Sequence, residues 1–340
     1  MNGLPTPELR PKRGSAPVFV SSGLPFRISM WYTVRINYCE VGIMKKYAIT
    51  MLALLTMAIY TMAFAEGQDA VRVSYLGPEG TYTEEAAQYW FQDGASFMPK
   101  ATVTDAIADV LDGTADRAVI PQENTLGGAV VNYVDALIGA EDVYVVGEVV
   151  LPINQTLMGT QDATLEDIQT VCSHAQGLTQ SAQWRAEHLP DAATQEMPST
   201  AAAASYVAEQ GDKRIAAVAA PGAAPLYGLK VLAENVQITD ANKTRFYVLA
   251  RQPLEEAALT RAVFIATCAA SRIDDIIVEM HAAGIELVSL HDRPEGNSLG
   301  SYHYVIEVED EAGISDAQIQ AVSALEDVRF AGHFNAVQKP

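Results

Sequence analysis

The sequence predicts an α/β protein made of two doubly wound lobes followed by a smaller βαββαβ domain. From 71 to 250, short apolar runs alternate with helical patterns, an order typical of parallel, doubly wound sheets. From 259 to 338 the order changes to βαββαβ, the ferredoxin-like arrangement. Two doubly wound lobes place a cleft at the ends of their strands, where ligands bind.

The first 65 residues contain a predicted signal peptide. Residues 44–46 give a positive start, an apolar run follows over 47–62, and Ala63 and Ala65 provide a small-x-small cleavage site. The run is short for a spanning helix, so cleavage after Ala65 is favoured over an uncleaved membrane anchor. Residues 1–43 lack periodicity and are interpreted as a spurious upstream extension, with a disordered leader as the alternative. We expect a periplasmic or secreted protein without a stable membrane anchor.

The strongly negative net charge of the chain makes some classes of ligand unfavourable. Removing residues 1–65 takes away seven basic and two acidic residues and moves the formal net charge from −20 to −25. Such a surface disfavours nucleic acids and anionic membranes. An anionic ligand therefore requires a local cluster of donors.

The cysteines of the remaining chain, Cys172 and Cys268, lie far apart in apolar runs. They fit buried free thiols rather than a disulfide framework or a metal site. No metal and no cofactor is predicted.

The chain is predicted to cross between the two lobes twice. Lobe 1 comprises about 71–150 and 236–250, and lobe 2 comprises about 151–235. The C-terminal domain is predicted to have strands at 261–268, 285–290, 302–308 and 328–337, and helices at 271–283 and 315–325.

Polar residues follow strands of the first lobe. Thr81 and Glu84 have the spacing of a capping box, which leaves first-turn amides able to hold a carboxylate. Asn124 follows the strand 115–120 and precedes two glycines, so it is placed to orient a carbonyl or hydroxyl. An ordinary capped helix and a turn asparagine are the commoner interpretations of such residues taken singly.

The second lobe repeats this pattern. Ser173 and Gln180 flank the first turns of a helix that follows a strand, and Ser199 and Thr200 begin another helix. Helix caps are the usual role of such hydroxyls.

The stretch 242–246 carries the most specific chemistry. Arg245 offers a planar fork of donors suited to a carboxylate, and Thr244 offers a small hydroxyl able to donate to a leaving oxygen. The pair suits an anionic substrate that loses a hydroxyl, although a strand start with a surface arginine remains the alternative.

Five stretches taken together closely resemble prephenate dehydratase, in order and spacing, across nearly all of 71–250. The resemblance implies lobes similar to type II periplasmic binding proteins, an active site in their cleft and a homodimer or homotetramer. Residues 261–337 resemble the ACT regulatory domain of that family. The stretches are 75–82, 121–125, 173–176, 199–203 and 242–246.

The resemblance also implies roles for residues in decarboxylation and dehydration of prephenate to phenylpyruvate. Thr244 would assist departure of the ring hydroxyl, Arg245 would bind a carboxylate and Phe246 would wall the pocket. Asn124, Ser173 and Gln180 would position the substrate. The remaining substrate-binding residues by this resemblance are Thr81, Glu123, His174, Ser199 and Thr200.

The sequence departs from the family pattern in two regions. Near Ser173, Ala175 and Gly177 replace a proline and an alanine, which keeps the polar groups. In the C-terminal domain, 268–272 replaces a Gly-Ala-Leu turn and 291–294 replaces Glu-Ser-Arg-Pro. The effector site would involve Leu290, Arg293 and Pro294, and these changes predict that phenylalanine regulates weakly or not at all.

Two other functions fit the same cleft. Arogenate dehydratase differs only in the substrate's amino group, and a non-catalytic binding protein would capture an aromatic or dicarboxylate ligand. A binding protein needs carboxylate anchors but no hydroxyl for a leaving group. Thr244 together with Arg245 and Asn124 therefore favours an enzyme.

Overall fold

The computed structural model describes residues 70–256 and 258–340, which form three β-sheets flanked by helices. The predicted signal peptide lies outside the described residues. The strands are β1 (Val71–Leu76), β2 (Ala95–Lys100), β3 (Arg117–Asn124), β4 (Gly128–Ala129), β5 (Tyr144–Pro152), β6 (Thr156–Gly159), β7 (Thr170–Ser173), β8 (Ala193–Glu196), β9 (Ile215–Ala219), β10 (Lys230–Ala233), β11 (Lys243–Ala250), β12 (Arg261–Ala269), β13 (Glu286–Pro294), β14 (Ser301–Glu309), β15 (Val328–Phe334) and β16 (Ala336–Gln338). The helices are α1 (Tyr82–Phe91), α2 (Val103–Asp112), α3 (Val131–Ile138), α4 (Ala175–Gln180), α5 (Ala182–His188), α6 (Thr200–Gln210), α7 (Ala223–Leu226), α8 (Ile273–Ala282) and α9 (Asp316–Ser323).

Sheet 1 has the strand order β16-β5-β11-β3-β1-β2, and β4 pairs with β3. Strands β1, β2 and β3 are parallel, as the alternation of strands and helices predicts. Strand β11 returns from the second lobe and runs antiparallel to both β3 and β5. The sheet is therefore mixed, and the strand that begins at Lys243 lies in its interior.

Sheet 2 has the order β10-β6-β9-β7-β8. Strands β7, β8 and β9 are parallel, whereas β6 runs antiparallel to β9 and to β10. Its core packs small and apolar side chains of α6 against β9. The chain passes from sheet 1 to sheet 2 between β5 and β6 and returns between β10 and β11.

Sheet 3 has the order β13-β14-β12-β15 and is wholly antiparallel. With α8 and α9 it forms the predicted βαββαβ arrangement, consistent with an ACT domain. The predicted last strand is divided in two. Asn335 accepts hydrogen bonds from the backbone and hydroxyl of Thr260, and the chain then enters β16, which pairs with β5 of sheet 1.

Sheet 3 packs directly on sheet 1. Buried residues of both sheets share one cluster, including Val145 and Tyr247 on one side and Val263 and Phe334 on the other. Gly332 has φ 128°, and a Cβ at this position would lie 2.1 Å from the carbonyl oxygen of Val145. A glycine is therefore required where β15 approaches β5.

Within residues 70–256 and 258–340, no helix is both long and apolar enough to cross a membrane. Cys172 and Cys268 are buried free thiols, as predicted.

Candidate active site

A cavity of about 230 Å³ lies between the strand ends of sheet 1 and the helix ends around sheet 2, and we call it the cleft. Polar side chains dominate its lining. Predicted site residues that the structure brings together here are Asn124, His174, Gln180, Ser199, Thr200 and Thr244. The remaining lining residues are Tyr82, Ile153, Gln155, Gln176, Gly177 and Pro198.

Thr244 and Asn124 are direct partners across β11 and β3. The side-chain nitrogen of Asn124 donates to the hydroxyl oxygen of Thr244 at 2.8 Å, and Thr244 is only 8% exposed. Because this bond occupies a lone pair of the Thr244 oxygen, the hydroxyl proton remains able to donate to a group in the cleft. The Thr244 hydroxyl is therefore oriented as a donor.

Asn124 itself is held on every side. Its Nδ2 also donates to Asn242 Oδ1 at 2.9 Å, and its Oδ1 accepts from Gln176 Nε2 and from the backbone amides of Leu126 and Gly127, each at 3.0 Å. Gln176 comes from the second lobe, so this bond crosses the cleft. Both the nitrogen and the oxygen of the Asn124 side chain therefore have protein partners, and these partners fix its orientation.

Three helices begin at the cleft. Thr81 caps α1, His174 caps α4 and Ser199 caps α6, each by accepting from a first-turn backbone amide. The positive ends of the helix dipoles and the remaining free amides favour negative charge. Thr81 itself does not line the cleft, and the first turn of α1 already carries Glu84 and Glu85. The starts of α4 and α6 are therefore the helix ends suited to receive carboxylates.

Gln155 and Gln180 form a buried pair on one wall. Gln155 Nε2 donates to Gln180 Oε1 at 2.9 Å. Gln180 is a site residue predicted from the sequence, whereas Gln155, Gln176 and Tyr82 were not predicted to line the site. The polar pair Asn154-Gln155 within the apolar run that joins the lobes was the available signal for Gln155.

Ser173 does not line the cleft. It is fully buried, and its hydroxyl donates to the carbonyl oxygen of Val218 at 2.7 Å. A Cβ at position 177 would lie 2.3 Å from the Ser173 oxygen, so Gly177 provides the space that this hydroxyl occupies. The structure gives Ser173 a supporting position behind α4.

Arg245 also lies away from the cleft. Consecutive residues of a strand face opposite sides of the sheet, so Thr244 and Arg245 cannot both point into it. The Arg245 guanidinium donates to Glu148 and Glu307, and it lies 3.2 Å from Glu123. The structure therefore places Arg245 and Glu123 on the opposite face from Asn124. Phe246 is 1% exposed and packs in the core beneath the site.

The partners of Arg245 form a buried ionic cluster between sheets 1 and 3. Glu307 is fully buried and also accepts from Tyr247 at 2.7 Å and from Arg261 at 2.8 Å. Burial and the charge of Glu307 raise the pKa of Glu148, against the opposing charges of Arg245 and Arg261. Burial acts to lower the pKa of Arg245, but the charges of Glu307 and Glu148 outweigh it and raise that pKa, so the guanidinium stays charged.

A larger cavity of about 700 Å³ shares Pro198 and Ser199 with the cleft. Lys100 lines it, with its ammonium 2.7 Å from Asp109. Tyr227 of the second lobe donates to the carbonyl oxygen of Glu79 at 2.7 Å, which links the lobes beside this larger cavity. The larger cavity thus adjoins the start of α6, and the charge of its Lys100 is paired with Asp109.

The predicted effector region contacts α3. Tyr133 and His291 share a hydrogen bond of 2.5 Å, and Arg293 donates to Asp135 at 2.5 and 3.0 Å. Burial lowers the pKa of His291, so its ring is neutral near pH 7. Leu290 is 38% exposed, and Pro294 ends β13. The end of β13 is therefore bound to the first lobe.

Comparison with known proteins places this geometry in context. A family model described as prephenate dehydratase matches residues 73–254. The prephenate dehydratase of Amycolatopsis methanolica is 36% identical over 271 residues, which are 77% of this chain and 88% of the relative.

Two solved structures share the fold over 78% of this chain. One is the prephenate dehydratase of Arthrobacter aurescens in complex with L-Phe, with a TM-score of 0.71, 28% identity and 90% of its own chain covered. The other is GqqA, described as a novel type of quorum quenching acylase, with a TM-score of 0.70, 26% identity and 98% of its own chain covered.

Proposed function

The chain belongs to the prephenate dehydratase family and converts prephenate to phenylpyruvate in phenylalanine biosynthesis, and we propose that Thr244 and Asn124 perform this reaction in the cleft. The hydrogen bond between these two side chains is the observation that carries the proposal. The bond between ring carbon C1 and its carboxylate carbon breaks, carbon dioxide leaves, and the electron pair of that bond enters the ring. The C4–oxygen bond breaks, and the departing hydroxide takes a proton to become water.

In this reaction Thr244 donates a hydrogen bond to the oxygen that leaves C4. A threonine hydroxyl is a weak acid, so its contribution is stabilisation of the developing negative charge, while water or a relay supplies the proton. Asn124 keeps the Thr244 hydroxyl turned towards the substrate. Holding both carboxylates and the hydroxyl in one geometry supplies much of the remaining acceleration.

We propose that helix ends rather than Arg245 hold the carboxylates. Ser199 and Thr200 begin α6 at the cleft, and His174 begins α4 there. Thr200→Val should therefore raise the Michaelis constant for prephenate more than it lowers turnover, and an unchanged Michaelis constant would contradict this role.

The direct test is the purified protein incubated with prephenate and, separately, with arogenate, with phenylpyruvate and phenylalanine measured as products. Among the described residues that line the cleft, none is an aspartate or glutamate able to pair with the ammonium group of arogenate. We therefore expect prephenate to be the better substrate. Binding without either product would instead support the binding-protein function.

We also propose that the enzyme is exported and cleaved after Ala65. The proposal rests on Lys45, Lys46, the apolar run 47–62 and the residues Ala63 and Ala65. Mass spectrometry of the mature N-terminus should give a chain that starts at Glu66. A cytoplasmic protein that begins at Met1 or Met44 would overturn export.

The family resemblance leads us to propose a homodimer or homotetramer. In the C-terminal domain, Val278 on α8 and Leu287 and Leu290 on β13 are more than one-third exposed, which gives this domain apolar surface for assembly. Light scattering coupled to gel filtration should give a mass of two or four chains, and a monomer at micromolar concentration would contradict it.

A further inference from the structure

Gln155 carries an unusual polar atom. The residue is 2% exposed and lines the cleft, and its Oε1 has no hydrogen-bond partner. A buried acceptor without a donor destabilises a folded protein, so an unpaired acceptor at a binding site indicates a partner supplied by the ligand. Among the described residues that line the cleft, Gln155 alone has such a buried, unpaired side-chain atom.

The position of Gln155 is well defined. Its backbone amide donates to Gln237 Oε1 at 2.8 Å, and its backbone carbonyl accepts from Val236 at 2.9 Å. Its Nε2 donates to Gln180 Oε1 at 2.9 Å, which directs the other end of the amide. The unpaired oxygen is therefore held in place before the substrate arrives.

The chemistry of prephenate identifies the group that meets this oxygen. At neutral pH both carboxylates are ionised, and they and the keto oxygen only accept hydrogen bonds. The ring hydroxyl is the single donor of the molecule. We infer that Gln155 is a substrate-positioning residue whose Oε1 accepts a hydrogen bond from the ring hydroxyl that leaves.

This inference rests on prephenate as the substrate and adds a second contact to the leaving group. Thr244 donates to the hydroxyl oxygen, while Gln155 accepts the hydroxyl hydrogen. The contact to Gln155 fixes the rotation of the hydroxyl about the C4–oxygen bond, so that a lone pair of the leaving oxygen faces the Thr244 hydroxyl. Orienting the leaving group in this way raises turnover as well as affinity.

The test compares Gln155→Met with Gln161→Met in the full chain. Methionine keeps the unbranched shape without an acceptor amide, and Gln161 is an exposed glutamine of the second lobe outside the cleft. We expect Gln155→Met to lower kcat for prephenate by about tenfold and to raise KM by up to about tenfold, because the lost contact both orients and binds the ring hydroxyl. Gln161→Met should match the wild type.

A binding experiment separates positioning from a merely structural role. Two stable cyclohexane analogues of prephenate, with and without the 4-hydroxyl, are titrated by calorimetry. The wild type should prefer the hydroxyl analogue by about tenfold, and Gln155→Met should lose this preference. Gln155→Leu removes the acceptor in the same way, should also lose the preference, and provides the test if the methionine variant does not fold.

The outcomes distinguish this inference from the proposed function. A wild type that forms no phenylpyruvate overturns the function itself. An active wild type whose Gln155→Met variant keeps both kcat and the hydroxyl preference overturns the role of Gln155. Loss of both properties in that variant, with a melting temperature near the wild-type value, supports it.

Discussion

Arg245 Nη2 lies 2.6 Å from Glu307 Oε2, so the residue next to Thr244 is bound to the C-terminal domain. Glu307 is on β14 of sheet 3, and Arg245 is on the interior strand of sheet 1. Because Thr244 and Arg245 share one peptide bond, the C-terminal domain contributes to the position of the catalytic hydroxyl. The ion pair between Arg245 and Glu307 therefore links the candidate active site to the C-terminal domain.

We predict that Glu307→Gln destabilises the protein by about 3 kcal/mol, because it leaves Glu148 as the one remaining buried counter-charge for both Arg245 and Arg261 among the described residues. Chemical denaturation measures the free energy of unfolding. The matched control is Glu309→Gln, on the same strand, whose side chain is 44% exposed and lies 3.4 Å from Arg261. It should change stability by less than about 1 kcal/mol. Equal effects of the two variants would contradict the buried ionic cluster.

Thr244→Ala should lower kcat about 100-fold or more while binding of substrate changes little, because the lost hydroxyl acts on a bond that breaks in the transition state. Thr244→Ser keeps the hydroxyl and should retain most of the activity. Steady-state kinetics on prephenate decide the matter. Full turnover in the alanine variant would show that the hydroxyl has no catalytic role.

Arg245→Lys should act mainly on stability. The predicted role of Arg245 as a carboxylate anchor implies a raised Michaelis constant, but the structure places the guanidinium among Glu148, Glu307 and Glu123. An ammonium keeps the charge but cannot serve all these carboxylates, so we expect a loss of about 1–3 kcal/mol. Thermal unfolding and KM are measured together. A higher KM with unchanged stability would instead indicate that Arg245 binds a carboxylate of the substrate.

The raised pKa of Glu148 predicts a pH dependence of stability. A raised pKa means that the folded protein binds this proton more tightly than the unfolded chain. The contribution of Glu148 to stability is therefore fully present below its ordinary pKa of 4.5 and is lost as pH rises through the folded value. Glu148→Gln should gain stability relative to the wild type as pH rises from about 4.5 to 7. A stability difference between Glu148→Gln and the wild type that does not change over this pH range would contradict the prediction.

We predict that phenylalanine binds weakly or not at all. Ala269, Ala270 and Ser271 place side chains where the family pattern has a glycine turn. The side chains of His291 and Arg293 are engaged by Tyr133 and Asp135 of α3. Calorimetry and inhibition assays with phenylalanine test this. Micromolar binding coupled to inhibition would show that these substitutions do not disable the effector site.

Local sequence patterns predicted the fold well where an element depends on its own residues. The alternation of strands and helices and the βαββαβ order were both readable in this way. The division of the predicted last strand was not, because β16 is defined by its pairing with β5, about 190 residues earlier in the chain.

In the candidate active site, too, local sequence predicted some features, while others depend on residues distant in the chain. Asn124 and Thr244 were identifiable from polar residues at strand ends, and the structure brings them into direct contact. The orientation of Arg245 required the alternation of β11 to be combined with the position of sheet 3. The role of Gln155 depends on Gln180 and on burial, neither of which a single sequence displays.

The strand β16 gives the C-terminal domain a second tether. The domain leaves sheet 1 after β11 and its chain returns to sheet 1 at β16, where Lys339 also donates to Val150. A domain attached at one end can undergo domain swapping between two copies of a chain when a single linker changes its conformation. Here a swap would require β16 to be peeled from β5 as well, so freshly mixed chains should keep their own C-terminal domains.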